Sequence, residues 1–178
     1  MKRKIAIMML SALLLASFTH AACAREPTDW VIQGNKYLDE GNYAKAIQAY
    51  DEALAIDPEN AAALSKKAYA LNELGRNDEA LRASSKALAI NPENAAAWRE
   101  KSYALNELGR YDEALRASNM ALAINPENTA ALYDKGYALY KLGKYNEALQ
   151  AADKALSIDP DYKNAKNLRS DILDVMPS

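Results

Sequence analysis

Tyr69, Tyr103 and Tyr137 stand 34 residues apart, with Asn35, Asn72, Asn106 and Arg99 spaced among them. Tyrosine and arginine combine contact area with a polar handle and are the residues that most often anchor interfaces. The chemistry on offer is recognition. Bond-making chemistry lacks its parts. The one histidine, His20, and the one cysteine, Cys23, lie in an N-terminal stretch that reads as a removable leader. Without them there is no Ser–His or Cys–His nucleophile system and no histidine-based zinc site. The glycines are spread by a fixed period instead of clustering, and no GxxxxGK[ST] phosphate loop occurs. Glu79, Glu113 and Glu147 recur at one spacing and read as a solvated charged face. No catalytic residue, metal or cofactor is expected.

The leader itself has three parts. Met1, Lys2, Arg3 and Lys4 make a basic start, Ile5 to Phe18 is an almost unbroken apolar run, and Ala21, Ala22, Cys23 and Ala24 supply small residues. That order matches a secretory signal peptide over 1–24, cut near 22–24. The apolar run covers about 14 residues, short of the ~20 a spanning helix needs. Two cleavage routes compete. Ala22-Cys23-Ala24 fits an ordinary signal peptidase and a soluble product. Ala21-Ala22-Cys23 resembles the end of a bacterial lipobox, with Cys23 lipidated, although His20 replaces the usual aliphatic residue. Either way the expected location is secreted, periplasmic or cell-surface. Contact with a membrane comes only through a lipid on Cys23 or an uncleaved leader. A formal net charge of −2 argues against nucleic acid as a partner. With at most one cysteine, no intrachain disulfide forms, so packing must supply the stability.

The elements that hold these residues follow from the period. Pro58, Pro92, Pro126 and Pro160 are 34 residues apart, as are Gly41, Gly75, Gly109 and Gly143. Ala46, Ala80, Ala114 and Ala148 keep step with Ala53, Ala87, Ala121 and Ala155. A period of that length means one supersecondary unit copied four times, each burying its apolar face only by stacking on the next. The units are 27–60, 61–94, 95–128 and 129–162. Within each, a first helix over about positions 1–14 ends at glycine, the residue that most easily adopts the left-handed conformation. A second helix over about 17–30 stops before the Asp-Pro or Asn-Pro step. Asn60, Asn94 and Asn128 are placed as N-caps. Units two and three differ at only seven positions, the mark of a recent duplication. After Pro160, Ala165, Leu168, Ile172 and Val175 outline one more amphipathic helix, a cap over 163–178. Residues 25–29 read as a short lead-in.

In this register the chain resembles the tetratricopeptide repeat family over residues 27–162. Position 4 is Trp30, Leu64, Trp98 and Leu132; position 8 is Gly34, Ala68, Ser102 and Gly136; position 11 is Tyr37, Leu71, Leu105 and Leu139. Position 17 is Tyr43, Asn77, Tyr111 and Tyr145. The resemblance implies an all-α fold, an α-solenoid in which four helix-turn-helix units wind into a right-handed superhelix. Two positions depart from the pattern. Position 7 is Gln33 and then Lys67, Lys101 and Lys135, and a lysine there can lay its stem on apolar surface with its ammonium outside. Position 24 is aromatic only as Tyr50, giving way to Ser84, Ser118 and Ala152, so looser packing is expected in the later second helices.

The resemblance also implies where a partner would sit. First helices line the concave face, and positions 2, 5, 9, 12 and 13 point into it. Those positions include Asn35 in unit one, Tyr69 and Asn72 in unit two, Arg99, Tyr103 and Asn106 in unit three, and Tyr133, Tyr137 and Tyr140 in unit four. Asp39, Glu73 and Glu107 fall at its edge. The expected activity is non-catalytic: an exported scaffold holding a peptide segment or helix of a partner protein in this groove. The alternative for the tyrosines is that they only pack between adjacent first helices, and one ring can do both. A self-assembling array and a glycan- or small-ligand-binding envelope protein are the alternative readings. The carboxylate clamp of chaperone-binding relatives is not expected, because Val31, Tyr69 and Tyr103 do not suit it.

Overall fold

The computed structural model describes residues 26–176; the leader, the cleavage site and Cys23 lie outside them. The described residues form nine helices and no strand. These are α1 (Pro27–Asp39), α2 (Tyr43–Ile56), α3 (Ala61–Glu73), α4 (Asn77–Ile90), α5 (Ala95–Glu107), α6 (Tyr111–Ile124), α7 (Thr129–Lys141), α8 (Tyr145–Ile158) and α9 (Lys163–Val175). None is long and apolar enough to cross a membrane.

Local chemistry sets each boundary. Asn60, Asn94 and Asn128 accept from the amides of Ala63, Ala97 and Ala131 at 3.0 Å, satisfying donors that a helix start leaves open. Gly41, Gly75, Gly109 and Gly143 have φ between 69° and 74°, where a side chain would be strained. Each reverses the chain between the two helices of a unit. The supposed lead-in is helical from Pro27, with Glu26 and Asp29 closing a reciprocal capping box.

Successive first helices touch one another: α1 meets α3, α3 meets α5, α5 meets α7, and α7 meets α9. No two successive second helices bring Cα atoms within 8 Å of each other. A stack that is tighter along one row of helices bends toward that row, so α1, α3, α5 and α7 line the inner face. Alanine makes the close approach feasible. Ala63, Ala97 and Ala131 at position 3, and Ala70, Ala104 and Ala138 at position 10, are fully buried. Unit one carries exposed Asp29 and Lys36 at those two places, so its outer face does not repeat the alanine surface. At the other end α9 buries Ala165, Leu168 and Ile172. Val175, expected on that same face, is instead exposed, as the helix ends there.

The later second helices are not looser. Ser84, Ser118 and Ala152 have no exposed surface. The compensation lies at position 8. In unit one, Gly34 leaves room for the Tyr50 ring, whose atoms would come within 2.6 Å of a Cβ added there. In unit three, Ser102 fills part of that room and donates to the Ala114 carbonyl at 3.0 Å. In unit four, Leu168 of α9 approaches Gly136.

Candidate binding site on the inner face

Tyr69, Tyr103 and Tyr137 project from the middle of α3, α5 and α7, one to each first helix, and all three are partly buried. Neighbouring rings hold the edges of two of them. Tyr43 meets Tyr69 edge-on at 6.2 Å, and Tyr111 meets Tyr137 at 6.4 Å. Tyr133 lies 6.2 Å from Tyr137 and 6.0 Å from Tyr162, and Tyr140 lies 5.9 Å from Tyr145. Tyr69, Tyr133, Tyr137 and Tyr140 therefore pack along one edge against a ring from outside their own helix, as well as lying on the inner stripe, whereas Tyr103 meets the Arg99 guanidinium of its own helix. The Lys141 ammonium rests over Tyr137 and Tyr140 at 5.2 and 5.6 Å.

Three phenols of the stripe, those of Tyr69, Tyr103 and Tyr133, are held in the protonated form. Burial, reinforced by the Glu73 carboxylate, pushes Tyr69 up to about 12. Burial and Asp134 push Tyr133 up to about 12. Tyr103 is raised by burial and by Glu107. These three thus offer hydroxyl donors beside carboxylates rather than phenolate charge.

The polar residues of the predicted groove behave differently. Asn72 and Asn106 are buried, and each bridges to the next first helix 28 residues on. The Asn72 amide donates to the Glu100 carbonyl at 3.0 Å and to its Oε2 at 2.9 Å; the Asn106 amide donates to the Asp134 carbonyl at 2.9 Å. They join helices through their amide nitrogens, while their Oδ1 atoms are buried without a partner; burial keeps both amides from a docking segment, which corrects the sequence-based placement. Asn35 accepts from the Tyr50 hydroxyl at 2.7 Å. Arg99 is committed as well: Nη1 donates to Glu100 Oε1 at 3.0 Å and Nε to Asp134 Oδ2 at 3.1 Å, while its guanidinium stacks 5.1 Å from the Tyr103 centroid. It is a structural cation, not an open anchor.

Glu100 and Asp134 were not singled out in the sequence. Their side chains are 7% and 1% exposed, and with Arg99 they form a buried line of two carboxylates and one cation. Burial pushes Asp134 up to about 7 against the pull of Arg99, with Glu100 adding to the rise. Burial works to discharge Arg99, and Asp134 and Glu100 together overcome it, so its pKa ends above the ordinary value. One proton on Asp134 brings the trio to neutrality.

A pH dependence follows. A folded-state pKa above the unfolded value near 3.9 means that the native state holds the proton more tightly. The stability so gained is present below pH 4 and is lost as pH rises through about 7. The urea midpoint of the parent protein, taken relative to Asp134→Asn, should therefore fall from pH 5 to pH 8. A difference that is flat across that window would remove Asp134 as the titrating group.

Tetratricopeptide-repeat family models match residues 37–99 and 105–172, and a second such model matches 73–128. The chain belongs to the tetratricopeptide repeat family. Among solved structures, this tetratricopeptide repeat protein resembles TTC0263 of Thermus thermophilus, with a TM-score of 0.72 and 20% identity over 82% of this chain and 80% of that one. It resembles MamA at 0.67 and 24% identity, over 83% and 86% of the two chains. YrrB, described as a TPR protein with an unusual peptide-binding site, superposes at 0.68 with 25% identity over 81% and 74%. Two curated relatives match shorter stretches. The TPR repeat-containing thioredoxin TTL4 of Arabidopsis thaliana is 46% identical over 26% of this chain and 7% of its own length. The human zinc finger CCCH domain-containing protein 7B is 49% identical over 24% of this chain and 4% of its own. The chain therefore spans under a tenth of the length of these curated relatives. The fold is consistent with a protein–protein interaction scaffold.

Proposed function

We propose that this protein is a non-catalytic scaffold of the extracytoplasmic space that holds a peptide segment or helix of a partner protein against its inner face. The observation that carries this reading is the tyrosine row. Tyr69, Tyr103 and Tyr137 recur on successive first helices, with Tyr133 and Tyr140 thickening the far end. Tyr69 and Tyr137 are held by neighbouring rings and Tyr103 by the Arg99 guanidinium, so they lose little freedom when a partner docks, and a partly exposed phenol supplies both area and a donor. The corrected placement of Asn72, Asn106 and Arg99 concentrates recognition on the phenols, with Glu73, Glu107 and Lys141 supplying exposed charge beside them. The resemblance to YrrB, with its peptide-binding site, agrees with this use of the fold. Location outside the cytoplasm rests on the leader sequence, and attachment to a membrane on lipidation of Cys23.

Partner capture from envelope extract, compared between the parent and a Tyr103→Ala/Tyr137→Ala double variant, tests the site. Capture of the parent's partner should fall at least tenfold, with unchanged helical circular dichroism. Equal capture by the double variant would place recognition elsewhere on the molecule.

A further inference from the structure

Units two and three differ at seven positions, so what has changed between them is a short set: Leu64/Trp98, Ser65/Arg99, Lys66/Glu100, Ala68/Ser102, Asn77/Tyr111, Ser85/Asn119 and Lys86/Met120. Arg99 and Glu100 belong to the buried trio, Ser102 bonds Ala114, and Tyr111 packs on Tyr137. The remaining three, Trp98, Asn119 and Met120, line one hollow between α5 and α6. Its volume is about 530 Å³, against about 410, 160 and 300 Å³ for the corresponding hollows of units one, two and four. Position 26 carries Glu52, Lys86 and Lys154 in the other units; only here is it apolar, and Met120 is 45% exposed.

This hollow is separate from the inner face. Lys101 at its rim and Tyr103 on the stripe are two residues apart in α5, which at 3.6 residues per turn puts them on nearly opposite sides. The Trp98 indole is fixed at its edge, Nε1 donating to the Pro92 carbonyl at 2.8 Å, with the Lys101 ammonium 5.4 Å from its ring centroid. The rim is cationic in effect. The Glu113 carboxylate is spent on a fork with Arg110 at 2.7 and 2.8 Å, while Lys101 and Arg116 bond no carboxylate among the described residues.

We infer that this hollow on the outer side of unit three is a second docking site, which takes a bulky apolar side chain flanked by carboxylates on a segment of a partner protein. Trp98 and Met120 supply a firm aromatic wall and an adaptable one, the thioether reshaping to the entering group. Lys101 and Arg116 meet the flanking acids, which sets orientation and excludes basic segments. A scaffold with sites on both sides can hold two segments at once.

The test uses Trp98 as its own reporter. Trp30→Leu, the residue that position 4 already carries in units two and four, leaves a single tryptophan. The probe is a short synthetic helix-forming peptide with one phenylalanine between glutamates. Its addition should shift Trp98 emission saturably, and Met120→Lys, the residue of units two and four, should weaken the apparent affinity at least tenfold while the fold is kept. A peptide with lysines in place of the glutamates should bind at least tenfold more weakly. Equal binding by Met120→Lys, or equal binding of the lysine peptide, overturns the proposal. So does self-association in light scattering that Met120→Lys abolishes while the acidic peptide leaves Trp98 emission unmoved, because the hollow would then belong to a second copy. Tyr103→Ala/Tyr137→Ala leaves this titration unchanged, so the two sites fail or stand separately.

Discussion

Replacing Arg99 with alanine should destabilise the protein by about 3–5 kcal/mol at pH 8, the cost of leaving buried charge without its partner. Arg99 joins carboxylates on two helices, Glu100 on α5 and Asp134 on α7, and both remain buried when it is gone. The Asn72 amide still reaches Glu100, but Asp134 Oδ2 loses the guanidinium that donates to it. The penalty should shrink toward pH 5. A stranded Asp134, already pushed up to about 7 by burial, escapes its ionic cost by taking a proton. Urea unfolding followed by circular dichroism at both pH values reads this directly. An added Asp134→Asn should recover part of the loss at pH 8 and little at pH 5. A loss under about 1 kcal/mol at pH 8 would show that water reaches the trio and that it behaves as a surface pair.

That trio marks where reading the sequence runs out. The period, the glycine turns and the asparagine caps were legible because each depends on chemistry local to a few residues. Gly75 needs its conformation whatever lies beyond it, and Asn60 caps the helix that it begins. The burial of Asn72, Asn106, Glu100 and Asp134 depends instead on pairing between units. Viewed alone, Glu100 and Asp134 are charges on a helix, and Lys66 at the same position of unit two is exposed. The signal was an offset of 28 residues, position 12 of one unit to position 6 of the next. It appears as Asn72 with Glu100 and again as Asn106 with Asp134. Two instances of a long-range offset do not stand out beside a 34-residue period repeated four times.

The tyrosine row shows a milder form of the same limit. Its position on successive first helices followed from the register, and the structure keeps it there. The partners of each ring did not follow. Tyr43 and Tyr111 both occupy position 17, but they meet the tyrosine of the next unit, Tyr69 and Tyr137, so the contact crosses the unit boundary. Tyr140 instead meets Tyr145 of its own unit. Lattices of aromatic contacts depend on rotamers that a pattern of letters does not contain. The outer hollow escaped notice for a related reason. Trp98 and Met120 are 22 residues apart on two helices, and neither departs far from a core residue until the shallow space between them is seen.

The pairing of positions 8 and 24 offers a sharper test of how the copies solve one packing problem in two ways. Tyr50 is fully buried, packs against Gly34 and bonds Asn35. Tyr50→Ser should cost about 3–5 kcal/mol, as other large aromatic truncations in cores do, through the cavity and the lost contacts. Gly34→Ala alone should cost about 1–3 kcal/mol, because the new Cβ meets the ring at 2.6–2.9 Å and a fully buried ring has nowhere to retreat. Together the two changes write into unit one the pair that unit two already uses, Ala68 with Ser84, both fully buried. The added methyl then occupies space that the ring vacated, and a helical glycine is replaced by the best helix former. The double variant should therefore be more stable than the sum of the single losses predicts, by about 1–3 kcal/mol of coupling. Gly136→Ala is the internal control. Its nearest new contact is Leu168 Cδ2 at 3.1 Å, a side chain on the end helix that can give way, so the cost should stay near zero. Additive losses in the cycle would mean that each copy holds its second helix by contacts specific to itself, and that the residues of one unit cannot stand in for those of another.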